Sequence, residues 1–306
     1  MIKQFDNLMQ LFRAFPDEQA AINHLTAIRW KEGKFCPLCG NADAARIGTL
    51  TGTNTHKCYE CRKRFSIKVG TIFQDTKLPL RTWFAAIWMI TNHPKGIAST
   101  TLAKDLGITQ KTAWFVLHRL RHAARTDSFN APLSGEVEVD ETFVGGKEKN
   151  KHASKRQKAG RGSVGKVAVL GMYERNGHVR AGTIADTTRL TLRAHIDANI
   201  AKGSTVYTDE FTGYNRLHWE YDHQTINHGA GRYVNGPIHT NSIESVWALL
   251  KRQIIGVHHW VSPKHLDRYV SEMTFRLNRR EMTVGMLVND LLAQRVGPLP
   301  YKVLIA

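Results

Sequence analysis

Spacing of apolar and polar positions divides the chain into a helical first part and a mixed second part. Residues 1–31 have helical spacing interrupted at Pro16, and Asp17 stands where it would cap a second helix with apolar positions Ala20, Ala21, Ile22, Leu25, Ile28 and Trp30. The helical period returns over residues 82–125. Trp83, Phe84, Ile87, Trp88 and Ile90 share one face, which Asn92-His93-Pro94 ends. Residues 99–121 then predict helix, glycine turn at Gly107, helix, with Leu102, Ala103 and Leu106 facing Ile108, Ala113, Val116 and Leu117. Thr109 would cap the second of these helices. Residues 126–134 have the composition of a linker.

From residue 135 the period changes. Gly135-Glu-Val-Glu-Val-Asp140-Glu-Thr-Phe-Val-Gly-Gly146 predicts a strand, with Glu136, Glu138, Asp140 and Thr142 on one face and Val137 and Val139 on the other. Residues 166–174 and 178–185 predict a hairpin closed by Asn176-Gly177. A helix with Leu192, Ile196 and Ile200 on its apolar line follows, then a strand from Ser204 that reaches Asp209 beside a glycine turn. Residues 214–219 are expected as a helix and 224–227 as a strand. The stretch Gly236-Pro-Ile-His-Thr-Asn-Ser-Ile-Glu-Ser-Val-Trp-Ala-Leu-Leu-Lys-Arg252 opens on a turn and continues as a helix, with Asn241, Glu244, Ala248 and Lys251 along one polar line. A last helix covers about 264–280. No internal repeat is present.

Charge changes what these elements suggest. The 306 residues carry 43 Lys and Arg against 26 Asp and Glu, a net charge of +17, which favours a polyanionic partner. Neither a basic amphipathic anchor nor a lipidation site offers a membrane surface as that partner. No apolar run approaches the roughly 20 residues needed to span a bilayer. The first residues lack a signal-peptide core, so a cytoplasmic nucleic-acid protein is expected. Residues 147–166 hold eight Lys or Arg and one acid. They predict a basic loop able to close on phosphates through residues such as Lys155 and Arg156. Its Gly160-Arg-Gly-Ser-Val-Gly165-Lys166 run is no P-loop, because Val167 stands where a metal-binding hydroxyl is needed. It precedes a strand and opens no helix, so it is no dinucleotide fingerprint either.

All four cysteines lie in Cys36-Pro-Leu-Cys39 and Cys58-Tyr-Glu-Cys61. Two such knuckles fit one tetrahedral zinc ion, and a closed four-thiolate site would fold its module without catalysing. A redox dithiol lacks the βαβ surroundings it needs. Arg62 and Arg64 follow the second knuckle as candidate phosphate contacts. Lys111 and Thr112, early in the helix after Gly107, occupy the exposed turn that a recognition helix presents to the major groove.

Asp140 lies near the end of the first strand and Asp209 at the end of a later one. If those strands are parallel neighbours, both carboxylates meet at one sheet edge, where ligands of α/β sheets bind. Glu244, on a helix packed beside that edge, can complete a set of acids suited to two magnesium ions about 3.5–4 Å apart and to phosphodiester chemistry. In combination, Val139-Asp140-Glu-Thr, Thr208-Asp209, His239-Thr-Asn-Ser-Ile-Glu244 and Leu250-Lys251-Arg252 resemble the DDE insertion-sequence transposases that carry an N-terminal zinc ribbon. The resemblance spans about residues 35–280. It implies a multidomain α+β and α/β chain: N-terminal helices (1–31), zinc ribbon (32–75), helix-turn-helix region (76–130), RNase H-like mixed sheet flanked by helices (135–285) and a C-terminal tail (286–306). It further implies structural Zn2+, catalytic Mg2+ or Mn2+ as two ions, and double-stranded transposon-end and target DNA bound by a homodimer or higher assembly. Asp140, Asp209 and Glu244 become metal ligands and catalytic residues, and Lys251, with Arg252 beside it, a DNA contact. Asn241, one turn before Glu244, is the alternative third ligand, though its amide brings no charge. A DNA-binding regulator with a degenerate catalytic fold, and a nuclease or resolvase that cuts without joining, are the rival readings.

Overall fold

The computed structural model describes residues 3–125, 132–146, 150–156, 163–226 and 239–305. Most of the expected linker, much of the basic loop, Asn227, the Gly236-Pro-Ile238 opening and the Lys155 side chain lie outside them. Two compact units result: Met1–Arg125 with Glu281–Ala306, and Thr126–Arg280.

The first unit is built on helices. Leu8–Ala14 (α1) and Glu18–Arg29 (α2) flank Pro16, and the Asp17 carboxylate caps α2 by accepting the Ala20 N–H at 2.7 Å. Leu80–Asn92 (α3) is the central helix. Trp83, Phe84, Ile87 and Ile90 along it are all buried. Ser99–Leu106 (α4) ends at Gly107, which adopts φ 64°, a left-handed conformation that costs glycine little. The chain turns there into Gln110–Ala124 (α5), capped by the Thr109 hydroxyl, which accepts the Thr112 N–H at 3.2 Å. Leu102, Ala113, Val116 and Leu117 close the apolar seam between α4 and α5. The zinc-ribbon segment forms a three-stranded antiparallel sheet of Ile47–Thr49 (β1), Thr55–Cys58 (β2) and Arg64–Ser66 (β3).

Residues expected as a C-terminal tail are helical and belong to this first unit. In Val284–Ala293 (α9), Leu287, Val288, Leu291 and Leu292 are buried, an apolar stripe at helical spacing. Gly285 fits against the Phe5 backbone, where an added Cβ would lie 3.0 Å from the Phe5 carbonyl oxygen. The His24 ring meets the Asn289 amide oxygen at 2.7 Å.

The second unit is a five-stranded mixed sheet. Its strands are Glu136–Val144 (β4), Val167–Glu174 (β5), Val179–Ile184 (β6), Thr205–Asp209 (β7) and Asp222–Ile226 (β8), in the order β6-β5-β4-β7-β8. The first three pair antiparallel; β7 then joins β4 in parallel, and β8 joins β7 in parallel. This is the RNase H-like arrangement implied by the motifs. One face carries Val137, Val139 and Val206 against Leu192 and Ile196 of Arg189–Asn199 (α6). On the other face, Val169 packs with Ile243, Trp247 and Leu250 of Asn241–Gln253 (α7), and with Leu266, Val270 and Met273 of Pro263–Leu277 (α8). The helix expected over 214–219 is instead two short 3-10 turns, Thr212–Tyr214 and Leu217–Trp219. Extended Asn215 (ψ 141°) and left-handed Arg216 (φ 72°) break the run between the two turns, while Tyr214 and Leu217 pin one turn each to the α6-side core. No helix among the described residues is long and apolar enough to cross a membrane.

Candidate functional site

Parallel pairing brings the two candidate aspartates together. The ladder ends with Glu138 opposite Tyr207; two residues on along each strand stand Asp140 and Asp209, close enough for the charge of one to act on the other. Both side chains then fall on the α7 side of the sheet. On its other flank Asp140 pairs with Gly171 of β5. A Cβ at Gly171 would lie 2.5 Å from the Trp247 ring, so glycine is what admits the indole. Trp247 uses that room to donate its Nε1–H to Asp140 Oδ2 at 2.8 Å. Burial, reinforced by the charges of Glu141 and Asp209, pushes the Asp140 carboxyl up to about 7. Asp209 Oδ1 accepts the Phe211 N–H at 3.0 Å, fixing the turn that leaves the sheet.

Glu244 lies in the first turn of α7, exposed, and accepts the Thr240 hydroxyl at 3.2 Å. Asn241 opens the same helix and is exposed too. Lys251 and Arg252 are exposed in its last turn, after which the helix widens into a π-helical turn, Ile254–His258. Asp209 is near enough to Asp140 for its charge to raise that carboxyl. Among the described residues, only the four cysteines form a set of three or more His, Cys, Asp or Glu whose ligand atoms all lie within 4.8 Å of one another.

The cysteine geometry fits its metal. Sγ atoms of Cys36 and Cys61 are 3.8 Å apart, as are those of Cys39 and Cys58. A tetrahedron with Zn–S bonds of about 2.3 Å has S–S edges of about 3.8 Å. The N–H groups of Cys61 and Glu60 help lower the Cys58 thiol to about 7, while burial and the neighbouring thiols push Cys39 up to about 12, as four close thiols require when no cation neutralises them. Arg62 and Arg64 are exposed beside this cluster. Lys111 is exposed on α5, its ammonium 5.5 Å from the Tyr301 ring centre, and Thr112 bonds back to Thr109. Arg156 is exposed, and its Nε donates to the Lys151 carbonyl at 2.9 Å.

Several residues at the acidic edge escaped sequence reasoning. Glu138, on the strand face read as polar, is completely buried and accepts the N–H groups of Ser242 and Ile243 at 2.9 and 3.1 Å. Arg175, next to the Asn176-Gly177 turn, donates to Glu138 at 2.9 Å. Glu141, on the α6 side, accepts the Tyr214 hydroxyl, and burial with the Asp209 charge raises its carboxyl. Only the placement of four acids within six residues of one strand hinted at such a cluster.

Comparison with known proteins bears on what this edge belongs to. The ISXO2-like transposase domain family matches residues 132–278, and the transposase zinc-ribbon domain family matches residues 16–64. The chain's mixed-sheet unit carries an ISXO2-like transposase domain, and its first unit a transposase zinc-ribbon domain. The chain is also similar to an uncharacterized protein in transposable element ISH50 of Halobacterium salinarum, with 29% identity over 281 residues, 88% of this chain and 93% of that protein. No solved structure matches. The transposase domain thus covers the mixed sheet with Asp140, Asp209 and Glu244. The zinc-ribbon domain covers all four cysteines, so the cysteine cluster is a structural zinc site.

Proposed function

We propose that this transposase binds the inverted-repeat ends of an insertion element and catalyses metal-dependent DNA cleavage followed by strand transfer. The observation that carries the reading is the adjacency of Asp140 and Asp209 on one face of two parallel strands, inside a transposase domain. Burial and crowding that raise the Asp140 carboxyl mark a site where a cation relieves repulsion between acids. The donor set suits hard divalent ions such as Mg2+ or Mn2+. Asp140 and Asp209 would hold them, with Glu244 as the third ligand; Asn241 is the alternative. Two such ions supply activation of the attacking oxygen and stabilisation of the leaving one. The protein's own part is to hold the carboxylates on a rigid sheet and to steady Asp140 through the Trp247 indole.

End recognition is assigned to the helical unit. The exposed N-terminal turn of α5, with Lys111 and Thr112, would enter the major groove, and Arg62 and Arg64 of the ribbon would contact phosphates. Lys251, Arg252, Lys155 and Arg156 are proposed to hold DNA near the scissile bond. Handling two element ends calls for at least two copies of the chain.

The test is Asp140→Asn. It should abolish Mg2+-dependent nicking of end DNA, measured on a labelled duplex, and leave specific binding within about twofold of wild type. Nicking that survives would remove Asp140 from the chemistry. Pre-cut ends that are never joined to target DNA would reduce the protein to a nuclease.

A further inference from the structure

The acids that grip α7 are spaced like the helix they hold. Two side chains of β4 reach α7. Glu138 accepts the N–H groups of Ser242 and Ile243 and, through Oε1, the Ser242 hydroxyl at 3.1 Å. Two residues further along the strand, Asp140 accepts the Trp247 indole. Two strand residues advance about 7 Å, and the four to five residues from Ser242–Ile243 to Trp247 advance about 6–7.5 Å along a helix. Helix and strand are therefore held in register at two points, and Glu244 rides between them.

Glu138 is itself fixed from behind. Its carboxylate takes the Arg175 Nε–H at 2.9 Å and lies 3.2 Å from His239 Nδ1, two residues before α7. The same guanidinium donates to the His239 carbonyl at 3.0 Å and stacks over the Tyr207 ring at 4.2 Å, while the Tyr207 hydroxyl binds Glu136. One buried carboxylate thus ties the hairpin turn, β4 and the lead into α7 together, with β7 joined through Tyr207. A buried charge with this many partners holds its surroundings to one geometry, because any displacement leaves it unpaired.

We infer that Glu138, with Arg175 and Ser242, is a positioning group for metal binding: it holds the first turn of α7, which carries Glu244, to the strand that carries Asp140. The inference rests on the catalytic reading above, and it adds residues that touch neither metal nor DNA. Groups that orient metal ligands typically account for about 10–100-fold in metal affinity or activity.

The test is Mn2+ binding to the full-length, zinc-loaded protein by calorimetry, beside the Mn2+ dependence of end cleavage. Glu138→Gln should weaken Mn2+ binding about 10–100-fold and raise the Mn2+ needed for half-maximal cleavage by a similar factor, with end-DNA affinity unchanged. Ser242→Ala and Arg175→Lys should shift both in the same direction by less, and they decide the matter if Glu138→Gln does not fold. Val137→Ala, on the opposite face of the strand, is the control: it should lower the unfolding midpoint yet keep the wild-type Mn2+ dependence. Wild-type Mn2+ binding in Ser242→Ala and Arg175→Lys would overturn the inference, as would an equal loss in Val137→Ala. Mn2+ binding that survives Asp140→Asn would instead remove the metal site itself.

Discussion

Gly171 and Trp247 act as one unit at the acidic edge. The indole occupies the space a side chain would take, and from there it reaches Asp140. Gly171→Ala should therefore displace Trp247, cost about 1–3 kcal/mol in a urea titration and change the near-ultraviolet circular dichroism of the protein. Buried histidines make one contribution to the pH dependence of stability. Burial lowers His24, bonded to Asn289, and His223, bonded to Thr208, below the ordinary value of 6.5. Each binds its proton more weakly in the folded chain than in the unfolded one, so that contribution is full above about pH 6.5 and falls as the pH drops below it. His24→Asn isolates one such contribution: its urea midpoint at pH 5.5, relative to that at pH 7.5, should be higher than in the wild type, while the raised Asp140 carboxyl acts in the opposite sense in both proteins. Glu138 was hidden from sequence reasoning for a physical reason. Alternation names the face a strand residue occupies, not whether a helix covers it, and the partners that make this acid buried lie 104 and 37 positions away.

Among the elements, the short sheet β1–β3 depends most on its metal. Its small core of Cys36, Ile47, Cys58 and Phe65 buries little apolar area, and ribbons of this size draw their folding energy from zinc. Chelation should raise amide hydrogen exchange across residues 47–66 while leaving β4–β8 protected. The α4–Gly107–α5 pair makes a different prediction. Lys111→Ala should narrow the preference for end DNA over an unrelated duplex, costing about 1–3 kcal/mol at the ends in a competition binding assay and little on the unrelated sequence. These elements were legible because their signals are local: the cysteine spacing, the Thr109 cap, the glycine turn, the Asn176-Gly177 hairpin. Residues 214–219 were misread because a helical alternation of apolar residues also fits two 3-10 turns, and only packing of Tyr214 and Leu217 beneath the sheet decides between them. The segment after residue 284 was passed over as a tail although its apolar stripe was in plain view.

At the scale of the molecule, the meeting of Asp140 and Asp209 follows from strand order, which no local pattern encodes. Sequence could place Asp209 at a strand end, and Asp140 near one although β4 runs four residues past it; the parallel crossover from β4 through β5, β6 and α6 to β7 makes them neighbours. The family motifs pointed to the same pair before any geometry was available. The placement of α9 has a consequence in time. A ribosome adding about 5–20 residues per second delivers the whole mixed-sheet unit before residues 281–305 emerge. The helical unit waits for Leu287, Val288 and Leu291 to fill its core. The half of the protein assigned to reading DNA is thus completed after the half assigned to cutting it, and a nascent chain still on the ribosome would hold a folded sheet beside an unfinished recognition unit.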